Sequence, residues 1–201
     1  MTYTIVGLGN PGEEYSQSRH NAGRMIAEQC ARAFSVSDDM WKKDKTLFGL
    51  TAKGEWEGEK VVFILPETFM NNSGKSVKKL QGSKKKIEQL IVIADELDLG
   101  LGSAKMTFNR GSGGHKGVES IIRSVKSEAF VRVKVGISPA TPKGKVKKPS
   151  GDKIVHDFII GDFKKKEIEA ITAVGKDIIS AIKTLITEGR EKAIQQLHTK
   201  K

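Results

Sequence analysis

The chain has 201 residues, which suits a single domain large enough to bury a hydrophobic core, and its one cysteine excludes an internal disulfide. Its 35 lysines and arginines against 24 aspartates and glutamates give a formal charge of +11, which favours a polyanionic partner, while 6% aromatic content argues against a base-stacking platform. No apolar run approaches the roughly 20 residues of a membrane span and the first residues resemble no signal peptide, so we expect a cytoplasmic protein.

The opening segment changes abruptly from a strand to a glycine-rich turn. Ile5-Val6 predicts the start of a buried strand, whereas residues 7–12 (GLGNPG) hold three glycines and a proline, which no regular element accommodates. Pro11 fixes its own φ and keeps Asn10 out of the helical region, so the amide of Asn10 is free in a rigid turn. His20 follows just before a predicted helix, and the pattern indicates a functional loop.

Two nucleotide-binding interpretations of the glycines are disfavoured. The spacing in residues 7–12 fits a dinucleotide fingerprint, which needs a helix directly after the last glycine and an acidic residue about 20 positions on. Pro11 interrupts this turn, and the next aspartates, Asp38 and Asp39, lie too far along the chain. Residues 74–76 (GKS) resemble the end of a phosphate-binding loop, but the glycine that opens that motif is absent.

The hydrophobic pattern of the remaining chain predicts strands that alternate with helices. Strands are predicted within residues 43–53 and over 60–65, 90–94, 104–108 and 130–137. Helices are predicted over 23–34, through 77–82 and 118–125, as a long amphipathic helix over 162–188, and in the basic tail 190–201. Residues 139–153, with three prolines and five lysines, predict a mobile basic loop. We therefore expect one α/β domain over residues 1–201, a three-layer fold with a mixed, mostly parallel twisted sheet flanked by helices.

Three predicted strands end in polar loops at the carboxyl edge of the sheet, where open α/β sheets bind ligands. These loops deliver Asn10, Asn71 and Asp95, and His20 and His115 lie in loops nearby. A histidine can take a proton from water, and a carboxylate on its other ring nitrogen fixes the tautomer and stabilises the imidazolium. The two amides can donate to a carbonyl oxygen as it becomes an oxyanion. The pattern predicts a hydrolytic centre.

Alternatives for these side chains stay open from the residues alone. No G-x-S-x-G nucleophile elbow occurs, which favours direct attack by water over a covalent intermediate. Asp95 is as well suited to capping a turn, and a histidine among glycines, such as His115, is more often structural. A metal site from His20, His115 and Asp95 is disfavoured, because no histidine pair has the short spacing of a metal motif.

Several long segments resemble those of the bacterial-type peptidyl-tRNA hydrolase family, in the same order and over nearly the whole chain. They are GLGNPGEEYSQSRHNAG (7–23), PETFMNNSGKSV (66–77), IADELDLGLGSAK (93–105), GSGGHKGVESI (111–121) and TEGREKAIQQLH (187–198). The resemblance implies an esterase without metal or cofactor, usually monomeric, that cleaves the peptide from the terminal ribose of peptidyl-tRNA and recycles the tRNA.

The resemblance also assigns roles to individual residues. It implies that His20 is the general base, that Asp95 supports it, and that Asn10 helps to distinguish N-blocked peptides from free aminoacyl groups. It implies substrate contacts for Tyr15, Asn21, Phe69, Met70, Asn71, His115 and Lys116. Residues in the region that clamps tRNA phosphate are Lys105, Arg110 and Lys134. We expect the basic loop 139–153 to order against tRNA as a flap.

Lys116 departs from the family pattern, which usually reads Gly-Gly-His-Asn-Gly. The expected amide helps to position substrate and water. A charged lysine can donate to an oxyanion but cannot accept from water, and its charge tends to lower the pKa of a nearby His20. We expect Lys116→Asn to keep or raise turnover. The departure also favours a rival interpretation, an RNA-binding or splicing-accessory protein with weakened chemistry.

Overall fold

A seven-stranded mixed sheet forms the centre of the computed structural model, which describes residues 1–141 and 143–199. In chain order the strands are β1 (Thr2–Gly7), β2 (Lys42–Asp44), β3 (Gly49–Trp56), β4 (Glu59–Pro66), β5 (Leu90–Gly100), β6 (Ala104–Phe108) and β7 (Val131–Ser138). They are arranged as β2-β3-β4-β1-β5-β7-β6, with the four central strands parallel and the outer strands antiparallel to their neighbours. The expected mixed sheet is confirmed, with its parallel part at the centre.

Helices cover both faces of this sheet. They are α1 (Ala22–Ala33), α2 (Lys84–Glu88), α3 (Lys116–Val125), α4 (Asp152–Ile160), α5 (Lys165–Glu188) and α6 (Arg190–Thr199). Short 3-10 turns occur at Glu13–Tyr15, Arg19–Asn21 and Asp38–Met40, and a longer 3-10 segment covers Met70–Leu80. Within the described ranges, no helix has both the length and the hydropathy that a membrane crossing requires.

Successive residues of each strand point to opposite faces, so the sheet separates two hydrophobic cores. Ile5 and Ile91 pack in a core with α1, α5 and α6. Val6 and Val92 pack in a second core with the 3-10 segment, α2 and α3. The continuous apolar run at the start of β5 follows from this, because both of its faces are covered. The predicted three-layer architecture is confirmed.

The C-terminal helix and the basic loop have boundaries that differ from the prediction. Helix α5 begins at Lys165 rather than at 162, because the backbone of Lys164 is still extended and the N–H of Phe163 donates a hydrogen bond to Gln17 in the first loop. Residues 152 and 153, assigned to the loop 139–153, instead open α4, a helix that was not predicted. Position 142 of that loop lies outside the described residues, as do positions 200 and 201 of the predicted tail.

Two segments before β5 also differ locally from the prediction. Residues 43–53 form parts of β2 and β3 joined by a turn at 45–48, rather than one edge strand. The helix predicted through 77–82 is a 3-10 helix that starts earlier and covers residues 70–80. Gly74 in this segment approaches α3 so closely that a Cβ would lie 2.1 Å from the carbonyl oxygen of Ser120. This close packing brings the 3-10 segment and the start of α3 together.

Candidate active site

A cleft of about 620 Å³ opens at the carboxyl ends of β1 and β5. The chain reaches β4 on one side of β1 and then crosses to β5 on the other side, the kind of position where open α/β sheets bind ligands. Predicted site residues that line the cleft are Asn10, His20, Phe69, Met70, Asn71, Asp95, His115 and Lys116. The fold therefore brings together side chains that are distant in the sequence.

Asp95 bonds two imidazoles through a single carboxylate oxygen. Its Oδ1 lies 2.9 Å from Nδ1 of His20 and 2.9 Å from Nε2 of His115. Burial raises the pKa of the Asp95 carboxyl, but the charge and hydrogen bonds of the two imidazoles outweigh burial and hold this pKa well below its usual range. Asp95 is therefore an ionised acceptor at neutral pH, as the predicted supporting role requires.

His115 has both ring nitrogens engaged within the protein. Its Nδ1 accepts hydrogen bonds from the backbone N–H groups of Gly117 at 3.1 Å and Val118 at 3.3 Å, and so caps helix α3. Because Nδ1 accepts, Nε2 of the neutral ring carries the proton and donates it to Asp95. His115 lines the cleft, but its nitrogens serve to fix Asp95 to the start of α3.

His20 keeps one ring nitrogen available. Its Nδ1–H donates to Asp95, and no side chain or backbone group in residues 1–141 and 143–199 hydrogen-bonds its Nε2. Burial lowers the pKa of His20, but the charge of Asp95 and its hydrogen bond raise it above the ordinary value, against a smaller lowering by Lys116. The Nε2 lone pair can therefore accept a proton within the cleft.

Three hydrogen bonds fix the orientation of Asn10. Its backbone N–H donates to Oδ1 of Asn21 at 2.8 Å, and its backbone oxygen accepts from Nδ2 of Asn21 at 3.0 Å. Its side-chain Oδ1 accepts from the N–H of Met70 at 2.9 Å, which leaves Nδ2 as the group that can donate into the cleft. Asn21 is only 1% exposed and lies outside the cleft lining, where it supports Asn10 through these hydrogen bonds.

The remaining predicted substrate contacts occupy different positions around the cleft. Phe69 is 60% exposed and lines the cleft together with the exposed side chains of Asn71 and Lys116. Tyr15 is half-buried on the short turn after the glycine-rich loop and is not part of the lining. The rim therefore offers a ring, an amide and an ammonium group.

The predicted phosphate-binding residues lie on or directly after β6 and β7. Lys105 and Lys134 are directly opposite each other across the antiparallel pair. Lys134 lies 2.7 Å from Glu96, which offsets part of its charge. Lys105 and Arg110 are exposed, and neither forms an ion pair with any residue that the structure describes. These two cations are the ones left available for a polyanion.

Arg132 and Glu96 were not predicted as site residues. Arg132 is 2% exposed, and its guanidinium lies 3.3 Å from Glu96 and donates to the backbone oxygens of Gly111 at 3.3 Å and Ser112 at 2.7 Å. It thereby ties the loop that precedes His115 to strand β5. The only signal in the sequence is a charged residue within the apolar run FVRVKV, and such residues more often point to solvent.

Helix α4 forms the wall of the cleft that the sequence did not reveal. It contributes Asp152, Val155, His156, Ile159 and Ile160 to the lining. Arg19 anchors this helix, because its guanidinium stacks on Phe158 at 4.6 Å, donates to the oxygen of Gly161 at 3.1 Å and pairs with Glu167 at 2.9 Å. Since Arg19 directly precedes His20, the α4 wall and the His20 turn form one unit.

His20, Asp95 and His115 also form a group of potential metal ligands, with their ligand atoms within 4.8 Å of one another. Nδ1 of His20 and Nε2 of His115 both carry protons that are donated to Asp95. A metal ion would have to displace both protons. The observed hydrogen bonds suit a proton-transfer site.

Comparison with known proteins agrees with this geometry. A model of the family described as Peptidyl-tRNA hydrolase matches residues 4–201. Peptidyl-tRNA hydrolases of Geobacter sp. (strain M21) and Pseudomonas putida are each 38% identical, over 94% and 98% of this chain and 94% and 96% of their own. The crystal structure of peptidyl-tRNA hydrolase from Acinetobacter baumannii is similar with a TM-score of 0.85 and 29% identity, covering 98% of this chain and 95% of that chain. The chain therefore belongs to the peptidyl-tRNA hydrolase family.

Proposed function

We propose that the protein hydrolyses the ester bond between the peptide and the tRNA of peptidyl-tRNA, which returns the tRNA to translation. One observation carries the chemistry: His20 is fixed by Asp95 through Nδ1, while its Nε2 has no hydrogen-bond partner among the described residues and faces the cleft. Membership of the family and the formal charge of +11 support the substrate.

His20 acts as the general base in this proposal. Its Nε2 takes a proton from a water molecule as the water oxygen attacks the ester carbonyl carbon. The carbonyl π electrons move to the carbonyl oxygen, which becomes an oxyanion. The ionised Asp95 stabilises the imidazolium that forms, and His115 holds Asp95 in place.

Donors on the cleft wall meet the developing negative charge. Nδ2 of Asn10, the amide of Asn71 and the ammonium of Lys116 are the groups assigned to the oxyanion and the substrate. When the intermediate collapses, the carbon–oxygen bond to the ribose breaks, and the ribose oxygen takes the proton from His20. The products are a peptide with a free carboxyl group and a tRNA with a free hydroxyl group.

Lys105 and Arg110, with a smaller share from Lys134, bind phosphates of the tRNA. The protein works as a monomer without metal or cofactor, because one chain supplies the base, its carboxylate partner and the donors. We assign it to the cytoplasm, where ribosomes generate its substrate.

The test is release of the blocked amino acid from N-acetyl-aminoacyl-tRNA, with free aminoacyl-tRNA as the comparison substrate. The wild type should cleave the blocked substrate preferentially, and His20→Ala should abolish cleavage while leaving tRNA affinity nearly intact. His198→Ala is the matched control, because His198 bonds the backbone of Met106 away from the cleft. Undiminished cleavage by His20→Ala would refute the base, and an inactive wild type would favour the RNA-binding alternative.

A further inference from the structure

Phe48 has a backbone conformation and an exposure that its place in the fold does not explain. Its φ is 47°, in the left-handed region that bulky L-residues rarely adopt. Its side chain is also 50% exposed, so burial does not compensate for the strain. Glycine adopts this conformation freely and would complete the turn before β3. An outlier of this kind points to a role for the ring outside the fold.

The backbone at Phe48 is held in a fixed position. Its carbonyl oxygen accepts a hydrogen bond from the N–H of Glu67 at 2.8 Å. The turn before it is closed by Asp44, whose Oδ1 accepts from the N–H groups of Thr46 at 2.7 Å and Leu47 at 3.0 Å. The ring is therefore presented from a defined point on the surface.

That point lies beside the cleft. Glu67, which is bonded to the carbonyl of Phe48, comes two residues before Phe69, and Phe69 lines the cleft with 60% of its surface exposed. Two residues of chain span at most about 7 Å. Two exposed phenylalanines are thus connected to the same strand end, one in the cleft and one next to it.

A cation accompanies the ring. The ammonium of Lys75 lies 5.9 Å from the ring centroid of Phe48 and has no ion pair in the part of the chain that the structure describes. The nearby carboxylates are engaged elsewhere, Glu67 with Arg24 at 2.8 Å and Asp44 within its turn. An exposed ring beside a cation that has no carboxylate partner among the described residues suits a base and its phosphate together.

We propose that Phe48 and Lys75 bind an unpaired nucleotide near the 3′ end of the tRNA, the ring stacking on the base and the ammonium contacting phosphate. The inference rests on the proposed function: if the cleft holds the ester at the 3′ terminus, the preceding nucleotides must lie just outside its mouth. The low aromatic content of the chain does not oppose this contact, because one ring placed beside the cleft is sufficient for one base.

Phe48→Gly tests the contact while relieving the backbone strain. With N-acetyl-aminoacyl-tRNA, its KM should rise about fivefold or more while kcat stays within about twofold. With an N-acetyl-aminoacyl ester of adenosine, which lacks the preceding nucleotides, its KM should not change. Phe48→Trp should retain the wild-type KM, and Lys75→Gln should weaken the salt dependence of tRNA binding.

Ser35→Gly is the matched control, because Ser35 is another exposed residue in the left-handed region, with φ 62°. It should leave KM unchanged, and neither glycine variant should lower the melting temperature. If Phe48→Gly loses stability, Phe48→Asn repeats the test, since asparagine tolerates this conformation. If the wild type is active and Phe48→Gly has the same KM for N-acetyl-aminoacyl-tRNA, the inference is overturned. An inactive wild type counts against the proposed function. In that case the Kd values of the wild type and Phe48→Gly for deacylated tRNA are compared, and equal values overturn the contact.

Discussion

Asn21 forms two hydrogen bonds to the backbone of Asn10: its Oδ1 accepts from the N–H of Asn10 at 2.8 Å, and its Nδ2 donates to the carbonyl oxygen of Asn10 at 3.0 Å. The side-chain oxygen of Asn10 is bonded to the N–H of Met70, so the direction of its Nδ2 depends on how these two hydrogen bonds hold the backbone. A rigid turn alone does not orient an amide, and the buried Asn21 supplies the missing constraint. In the proposed mechanism, Asn21 is therefore a positioning residue for the amide of Asn10.

Asn21→Ala should reduce the preference for N-blocked over free aminoacyl-tRNA. It removes two buried hydrogen bonds and should lower the free energy of unfolding by about 1–3 kcal/mol. The ratio of kcat/KM for the two substrates is the measurement, because a purely structural loss would lower both values equally. In an Asn10→Ala background the substitution should leave this ratio unchanged, and a further change there would contradict the assigned role.

Asp95→Asn should move the acid limb of the pH–rate profile to lower pH. Asp95 raises the pKa of His20 by charge and by hydrogen bonding, so its removal lowers that pKa, and the active neutral imidazole persists to lower pH. The plateau kcat should fall by about two orders of magnitude, because the amide no longer fixes the tautomer or stabilises the imidazolium. Asp98→Asn, an exposed change on the same strand, is the control. An unmoved acid limb would separate Asp95 from the titration of His20.

Lys116→Asn should move the acid limb of the pH–rate profile to higher pH. The charge of Lys116 lowers the pKa of His20, so a neutral residue lets this pKa rise and activity is lost at a higher pH. On the alkaline plateau Lys116→Asn should keep or raise kcat, since the amide still donates. Lys116→Met, which has no donor, should reduce the plateau about tenfold. A large loss with asparagine on the plateau would show that the ammonium has a role of its own.

The sequence revealed the parts of the site that depend on strand ends. Asn10, Asn71 and Asp95 follow apolar runs, and parallel strands in one sheet place their carboxyl ends at one edge. The hydrogen bonds of Asn21 to Asn10 were not predictable in this way, because contacts between two loop residues leave no periodic pattern in the sequence. The pairing of Lys134 with Glu96 depends on which strands are neighbours, and this information is absent from the local sequence.

Arg132→Met should destabilise the protein by about 3 kcal/mol, measured by urea unfolding, because it breaks a buried ion pair and frees the loop before His115. The pKa of Arg132 is lowered by burial, against the opposing charges of Glu96 and Asp95, as expected for a cation held in the interior. Replacing Arg132 by Met and Glu96 by Leu together should recover part of the lost stability. The double variant no longer buries a Glu96 carboxylate that has lost its guanidinium partner. Wild-type stability of the single variant would show that the pair is energetically neutral.

Lysines of the loop 139–153 should contribute to tRNA affinity in a salt-dependent manner. Lys148 is already bonded to Asp98 at 2.7 Å, so the larger effect should come from its exposed neighbours Lys143, Lys145 and Lys147. Changing these three to glutamine should raise the Kd for tRNA and flatten the dependence of log Kd on log salt. A matched variant replaces the three exposed lysines at 84–86 on α2, so both carry the same net charge. If the two variants bind tRNA with equal affinity and equal salt slopes, the loop acts only through the overall charge. Changing Lys148 and Lys153 to glutamine as well then tests all five lysines of the flap.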